Sequence, residues 1–246
     1  MDDEKNSRKE IAEDKVKKFK DVFEKYFSIM ENIPGKSGER YYCGQVSDTL
    51  YFFTDDERCL VEYIKLFLVF NIYAMSRDVF FRGGIATGNL YKAKSYQYYG
   101  DSVSHAYLLE EKIAKFPIVI LSKDVVNDLE SYREISNVFE KQDIKERIYL
   151  KPFAFLNEDN FGVTGLNLGW TESLRDEKFI DDIKKNITDN IKKFEYDSNN
   201  YSKYIKLQEL FEKEVYLYKK RRKKEKTCMG QRERIRNLQI VIHFCL

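Results

Sequence analysis

Three short stretches of this chain carry residue types that could do chemistry. In Val46-Ser47-Asp48-Thr49-Leu50, Asp48 sits at a turn between apolar strand arms. A carboxylate projecting from such a turn can hold Mg²⁺ through oxygen, and Ser-Asp is equally ordinary turn chemistry. The second stretch is Phe81-Arg82-Gly83-Gly84-Ile85-Ala86-Thr87-Gly88. Glycines on a strand let a ligand or a second backbone come close, or mark a bulged edge. The third is Tyr99-Gly100-Asp101-Ser102-Val103, at the start of a helix. Backbone N–H groups and the helix dipole favour a phosphate there. If Asp101 caps the helix itself, its negative charge competes with an anion.

The elements that must position these stretches follow from hydrophobic periodicity. Residues 1–11 are polar and read as a disordered terminus. Val16, Phe19, Val22, Phe23, Tyr26, Phe27 and Met30 then recur at helical spacing, and Asn32-Ile33-Pro34-Gly35 stops that helix. Residues 40–53, RYYCGQVSDTLYFF, predict a hairpin. Thr54-Asp55-Asp56-Glu57 starts a helix that continues to Met75. Residues 79–91 read as a strand, 101–115 as a helix capped by Asp101 or Ser102, and FPIVIL at 116–121 as a buried strand. A helix at 122–129 and a strand at 147–156 complete an α+β domain over 12–155. Two long helices occupy 177–226, and the tail at 227–246 is a basic patch with an apolar, strand-like end. Hairpins mixed with crossover helices predict an antiparallel sheet with helices on one face.

Composition narrows the classes. The 246 residues hold 43 Lys and Arg against 41 Asp and Glu, and a net charge of +2 argues against a globally basic nucleic-acid binder. Cys43, Cys59, Cys228 and Cys245 share no metal-ligand spacing and read as free thiols in a reducing cytosol. The charged first residues form no signal peptide, and the longest apolar run, at 64–74, is too short to span a bilayer. A cytoplasmic protein with no membrane partner is the expectation. The run Lys219-Lys220-Arg221-Arg222-Lys223-Lys224 suits a helix C-terminus, or it could touch nucleic acid or an anionic surface. His105 and His243 stand without ligand partners, and Trp170 reads as packing.

In order and spacing, VSDTLYFF, RGGIATG, YGDSVSHAYLLE and IVILS resemble the catalytic domain of the class III adenylate/guanylate cyclases over residues 12–155. The resemblance implies a ferredoxin-like α+β fold and cyclic-nucleotide signalling. It makes Asp48 a metal-binding aspartate for Mg²⁺ or Mn²⁺. It places a nucleoside triphosphate against Arg82, Gly88, Gly100, Asp101 and Ser104. It also implies a homodimer, or a heterodimer with an intact cyclase.

The chain departs from that pattern at positions that do the chemistry. The first strand, with the other metal aspartate, has no counterpart. Ser47 replaces the hairpin glycine, Ser104 the ribose-placing asparagine, and Leu108 the transition-state arginine. Gly44 or Gln45 stands at the base-reading lysine, and Gln97 at its acidic partner. One carboxylate is a poor clamp for two ions, and losing the arginine costs several kcal/mol of transition-state stabilisation. A catalytically degenerate or truncated cyclase-homology domain is therefore the first expectation. An active cyclase using Asp48 with Asp55, Asp56 or Asp101 is the second. A scaffold or nucleic-acid-associated protein acting through residues 219–224 is the third. The missing strand would be central in the sheet. It could be encoded upstream, donated by a partner, or supplied by the apolar segment at 238–244.

Overall fold

A computed structural model of the chain describes residues 2–30, 41–46, 49–92, 98–132, 135, 138–142, 147–157 and 174–243. Helix α1 spans Asp2–Met30, so it begins well before the first periodic apolar residue and includes most of the terminus expected to be disordered. Strands β1 (Tyr41–Val46) and β2 (Thr49–Thr54) form the predicted antiparallel hairpin, with Val46 opposite Thr49 and Tyr42 opposite Phe53.

Helix α2 (Glu57–Ser76) is the centre of the molecule. Asp56 caps it, accepting hydrogen bonds from the amides of Arg58 (2.8 Å) and Cys59 (3.1 Å). Among the described residues it is the one helix long and apolar enough to cross a membrane, and it is mostly buried inside the protein. A helix apolar around its whole circumference belongs in a core. Accordingly Ile64, Leu66, Leu68, Phe70, Ile72 and Met75 are buried. Its C-terminus closes with Asp78 in the left-handed region at φ 62°, while the Val79 amide returns to the Ala74 carbonyl at 3.0 Å.

Strand β3 (Gly83–Ile85) is much shorter than the 79–91 expectation. A two-stranded ribbon follows, β4 (Tyr91–Lys92) against β5 (Tyr98–Tyr99). Helix α3 (Asp101–Leu108) runs into a π-helical turn at Leu109–Ile113. Strand β6 (Val119–Leu121), helix α4 (Lys123–Leu129) and strands β7 (Phe139–Gln142) and β8 (Arg147–Leu150) come next, then a 3₁₀ turn at Ala154–Leu156. The main sheet has the order β3-β6-β8-β7. Its β3–β6 pair is parallel and the other two pairs are antiparallel, so the sheet is mixed where an antiparallel one was expected. The parallel pair follows from the α3 crossover, which returns the chain to the same end of the sheet.

Helices also cover both faces of this sheet. Gly84 faces Ala106 and Leu109 on the α3 side. Val119, one residue off the Gly84–Ile120 pair, faces Phe67, Leu68 and Asn71 of α2 across a narrow gap. The expected single helical layer therefore does not hold.

The C-terminal helices are α5 (Glu177–Lys193) and α6 (Ser198–His243). Ile180, Ile183 and Ile187 of α5 join the same buried cluster as α2, and Asn186 donates to the Met75 carbonyl at 2.9 Å. The buried Asn190 donates to Asp78 at 2.7 Å. The helical pair thus shares the core of the α+β region. Helix α6 continues through 238–243, where a strand-like end was expected. The reason is local: the preceding turns are rich in Lys, Glu, Arg and Gln, which favour helix, and no proline interrupts them. This segment therefore does not supply the strand absent from the cyclase pattern.

Tyr63 of α2 stacks on Phe52 of the hairpin at 4.1 Å, sealing the two together. Burial pushes its phenol up to about 12, an effect that nearby Cys43 reinforces and Tyr26 opposes. Folded Tyr63 keeps its proton where the unfolded residue, with an ordinary value near 10, loses it. Stability is therefore full below pH 10 and falls as pH rises toward 12. The loss from this group is on the order of 2 kcal/mol. Tyr204, pushed up to about 12 chiefly by burial, acts in the same direction. Urea unfolding at pH 8, 10 and 11 is expected to show that decline, and a smaller one for Tyr63→Phe. Equal declines in the two proteins would remove Tyr63 as a cause.

Candidate functional site

The loop after β3 and the start of α3 are built against each other. Gly88 has φ 150°, and a side chain there would meet the Asp101 carboxylate at 2.8 Å and the Ser102 amide at 3.0 Å. Gly100 has φ 155°, and a Cβ would overlap the Asn89 carbonyl. Only glycine tolerates both the backbone conformation and the contact. Asn89 completes the junction. Its amide nitrogen lies 3.4 Å from Asp101 Oδ2, and its carbonyl accepts from the Ser102 hydroxyl at 3.0 Å.

Four residues expected at a nucleotide site, Gly88, Gly100, Asp101 and Ser104, therefore come together at one corner. What they do there is structural. Asp101 Oδ1 accepts from the Ser102 amide at 2.9 Å, so one N–H that would hold an anion already faces a carboxylate. The Ser104 amide and hydroxyl both turn back to the Gly100 carbonyl, each at 3.3 Å. Asp101 is exposed and brings a full negative charge to the positive end of the helix dipole. A phosphate at this corner would have to displace that carboxylate.

Arg82 stands elsewhere. Its Nε pairs with Glu110 Oε1 at 2.5 Å, at the far end of the helical segment. Glu110 is nine residues beyond Asp101, about 13 Å along a helix. Asp48 lies outside the described residues, as do Ser47, Gln97 and Trp170. Tyr51 lies across Gly44, its hydroxyl 2.8 Å from where a Cβ would sit. Tyr51 belongs to an aromatic layer in which Tyr98 of β5 meets Tyr42 at 4.6 Å and Phe53 at 4.9 Å. That layer ties the ribbon to the hairpin.

Asp56 is committed to capping α2. The cap of α3 is Gly100, not Asp101 or Ser102 as expected: Asp101 is already the first helical residue, and its carboxylate accepts only from the adjacent Ser102 amide. Among the described residues no group of three or more His, Cys, Asp or Glu side chains could hold a metal ion. Sequence reasoning missed Asn89, although Asn after glycine is a readable turn signal, and it read Ser102 as a possible cap where its hydroxyl instead donates to the Asn89 carbonyl. It also missed Glu110 as the partner of Arg82, for which no local signal exists. No protein-family model matches the chain, and no curated protein or solved structure proves similar to it.

Proposed function

We propose that the chain is a cyclase-homology subunit in cyclic-nucleotide signalling, carrying the scaffold of a nucleoside-triphosphate site without a working catalytic set. One observation carries this reading. The succession hairpin, α2, β3, α3, β6 stands in the order the four motifs imply, and glycines bring the β3 loop onto the start of α3. The reacting groups are what is missing. Leu108 is an exposed apolar residue where an arginine would neutralise phosphate, Arg82 is paired with Glu110, and Gly44 or Gln45 stands where the family has its base-reading lysine, with Tyr51 lying across Gly44.

The exposed Tyr91–Tyr99 stack, with Tyr107 and Leu108 also exposed on α3, supports a protein contact such as a cyclase partner or a second copy. An active enzyme built on Asp48 with Asp55, Asp56 or Asp101 finds less support, because the Asp56 carboxylate is engaged in capping α2 and that of Asp101 accepts from the Ser102 amide. The test is incubation of the purified chain with each nucleoside triphosphate and Mn²⁺, followed by chromatography for cyclic product. The expected result is none from the chain alone. Multiple turnovers of cyclic AMP or cyclic GMP would overturn the degenerate reading.

A further inference from the structure

We infer that the distal half of α6 is a binding element for the phosphate backbone of nucleic acid, independently of the cyclase reading. Charge in this chain is segregated rather than balanced. Between Lys219 and Arg236 there are ten Lys and Arg residues against two Glu, a net +8. The whole chain carries +2, so the other 228 residues carry −6. Such asymmetry within one chain points to a polyanionic partner for the basic part.

The structure places this segment on a single continuous helix, Ser198–His243, anchored at its proximal half. Leu207, Leu210, Phe211 and Tyr218 are buried in the body. Arg221 belongs to the anchor, because its guanidinium donates to the carbonyls of Asn157 and, at 3.2 Å, of Leu156. Lys219, Lys220, Arg222 and Lys223 are exposed, Lys220 lying over the Tyr216 ring at 6.0 Å and Arg222 over the Tyr218 ring at 5.5 Å. The basic run is therefore not merely a solvated end. One of its cations holds the helix in place while four are exposed to solvent.

Two physical features select the partner. First, the cations recur at four-residue spacing along the sequence. Lys219/Lys223, Lys220/Lys224, Arg222/Lys226 and Arg232/Arg236 are like-charged pairs four residues apart. Each destabilises a bare helix, and a polyanion relieves all of them at once. Second, the dimensions suit a duplex. Eighteen helical residues extend about 26 Å, a duplex carries one phosphate charge per roughly 1.7 Å, and its major groove admits an α-helix. A bilayer surface would instead require one basic and one apolar face. The run from 219 to 236 offers only Cys228, Met229 and Ile235 as larger apolar residues.

The test uses the full chain and a fluorescein-labelled 20-base-pair duplex, as DNA and as RNA, with anisotropy read from 50 to 300 mM KCl. About micromolar binding at 50 mM salt is expected, with log K falling against log salt at a slope of roughly −5 or steeper. The variant K219Q/K220Q/R222Q/K223Q keeps Arg221 and hence the anchor. Its melting temperature should fall by no more than a few degrees, for the lost ring contacts of Lys220 and Arg222, its affinity at 100 mM salt should be about 100-fold weaker, and its slope shallower by roughly 3 to 4. A control with Gln at Lys184, Lys185, Lys192 and Lys193, exposed on α5, should bind within about twofold of the parent. Absence of binding at 50 mM salt, equal binding by the α6 variant, or binding confined to phosphatidylserine vesicles would each overturn the inference.

Discussion

Replacing Glu62 with Leu while leaving Lys65 in place is expected to destabilise the protein by about 3 kcal/mol, and replacing both, as E62L/K65M, is expected to return most of that loss. Both side chains lie on the central helix, at 3% and 4% exposure, with Lys65 Nζ 2.8 Å from Glu62 Oε1. Desolvating two charges costs several kcal/mol each, and their attraction roughly offsets it. The pair is therefore nearly neutral as a unit and costly to split. The second carboxylate oxygen of Glu62 is buried without a hydrogen-bond partner, which adds to the cost of keeping the charge there. Arg58 reaches Oε1 at 3.1 Å from a half-exposed position and is screened accordingly. Urea unfolding of the two single variants and the double variant gives the coupling energy directly. A double variant no more stable than E62L alone would show that the two residues do more than neutralise each other.

The elements that were legible from sequence are those with local causes. Asp56 caps α2 where Thr54-Asp55-Asp56-Glu57 signalled a start, and FPIVIL delivered β6 because a short apolar run between polar stretches has little alternative to a buried strand. The hairpin followed from its aromatic strands and the polar break between them. Elements with distant causes were not legible. Strand β7, Phe139-Glu140-Lys141-Gln142, has no apolar alternation because it lies at a sheet edge, where charged residues are suited. Strand β3 stops at Ile85 because the chain must turn to bring Gly88 against Asp101.

The candidate site divides the same way. Glycines could be read in place, and the structure assembles Gly88, Gly100, Asp101 and Ser104 at one corner. The α3 cap could not: Gly100 takes it in place of Asp101 or Ser102, because the helix starts one residue earlier than its polar side chains suggest. The Arg82–Glu110 pair depends on how β3 lies along α3, a tertiary fact that no short motif encodes. The C-terminal segment misled because Ile, Val and Leu near the end of a long helix look like a strand when read without the helix that precedes them.

Gly84 is where the site and the fold meet, and Gly84→Ala is expected to cost about 2–3 kcal/mol. The reason is contact rather than backbone conformation. A Cβ there would overlap the Ala106 carbonyl oxygen and approach the Ala106 carbonyl carbon at 3.0 Å and Leu109 Cβ at 2.8 Å. None of these is the tip of a flexible side chain, so α3 itself must move off the sheet. Gly83 is the natural control. Its added Cβ would meet only Val119 methyls at 3.6 and 3.9 Å, which is ordinary packing, and Gly83→Ala is expected to cost under about 1 kcal/mol. The displacement has a consequence beyond stability. Helix α3 carries the Asp101 and Ser102 contacts to Asn89 at one end, and its π-helical continuation carries the Arg82 partner Glu110 at the other. Lifting the helix loosens both ends together. Amide exchange at Ser102 and Ser104 should therefore rise in Gly84→Ala beyond what the global loss of stability explains, and not in Gly83→Ala. Equal stability of the two variants would mean that α3 does not rest on β3 through Gly84. A purely global rise in exchange would mean that the glycine loop at Gly88 and Gly100 holds its corner without help from the strand.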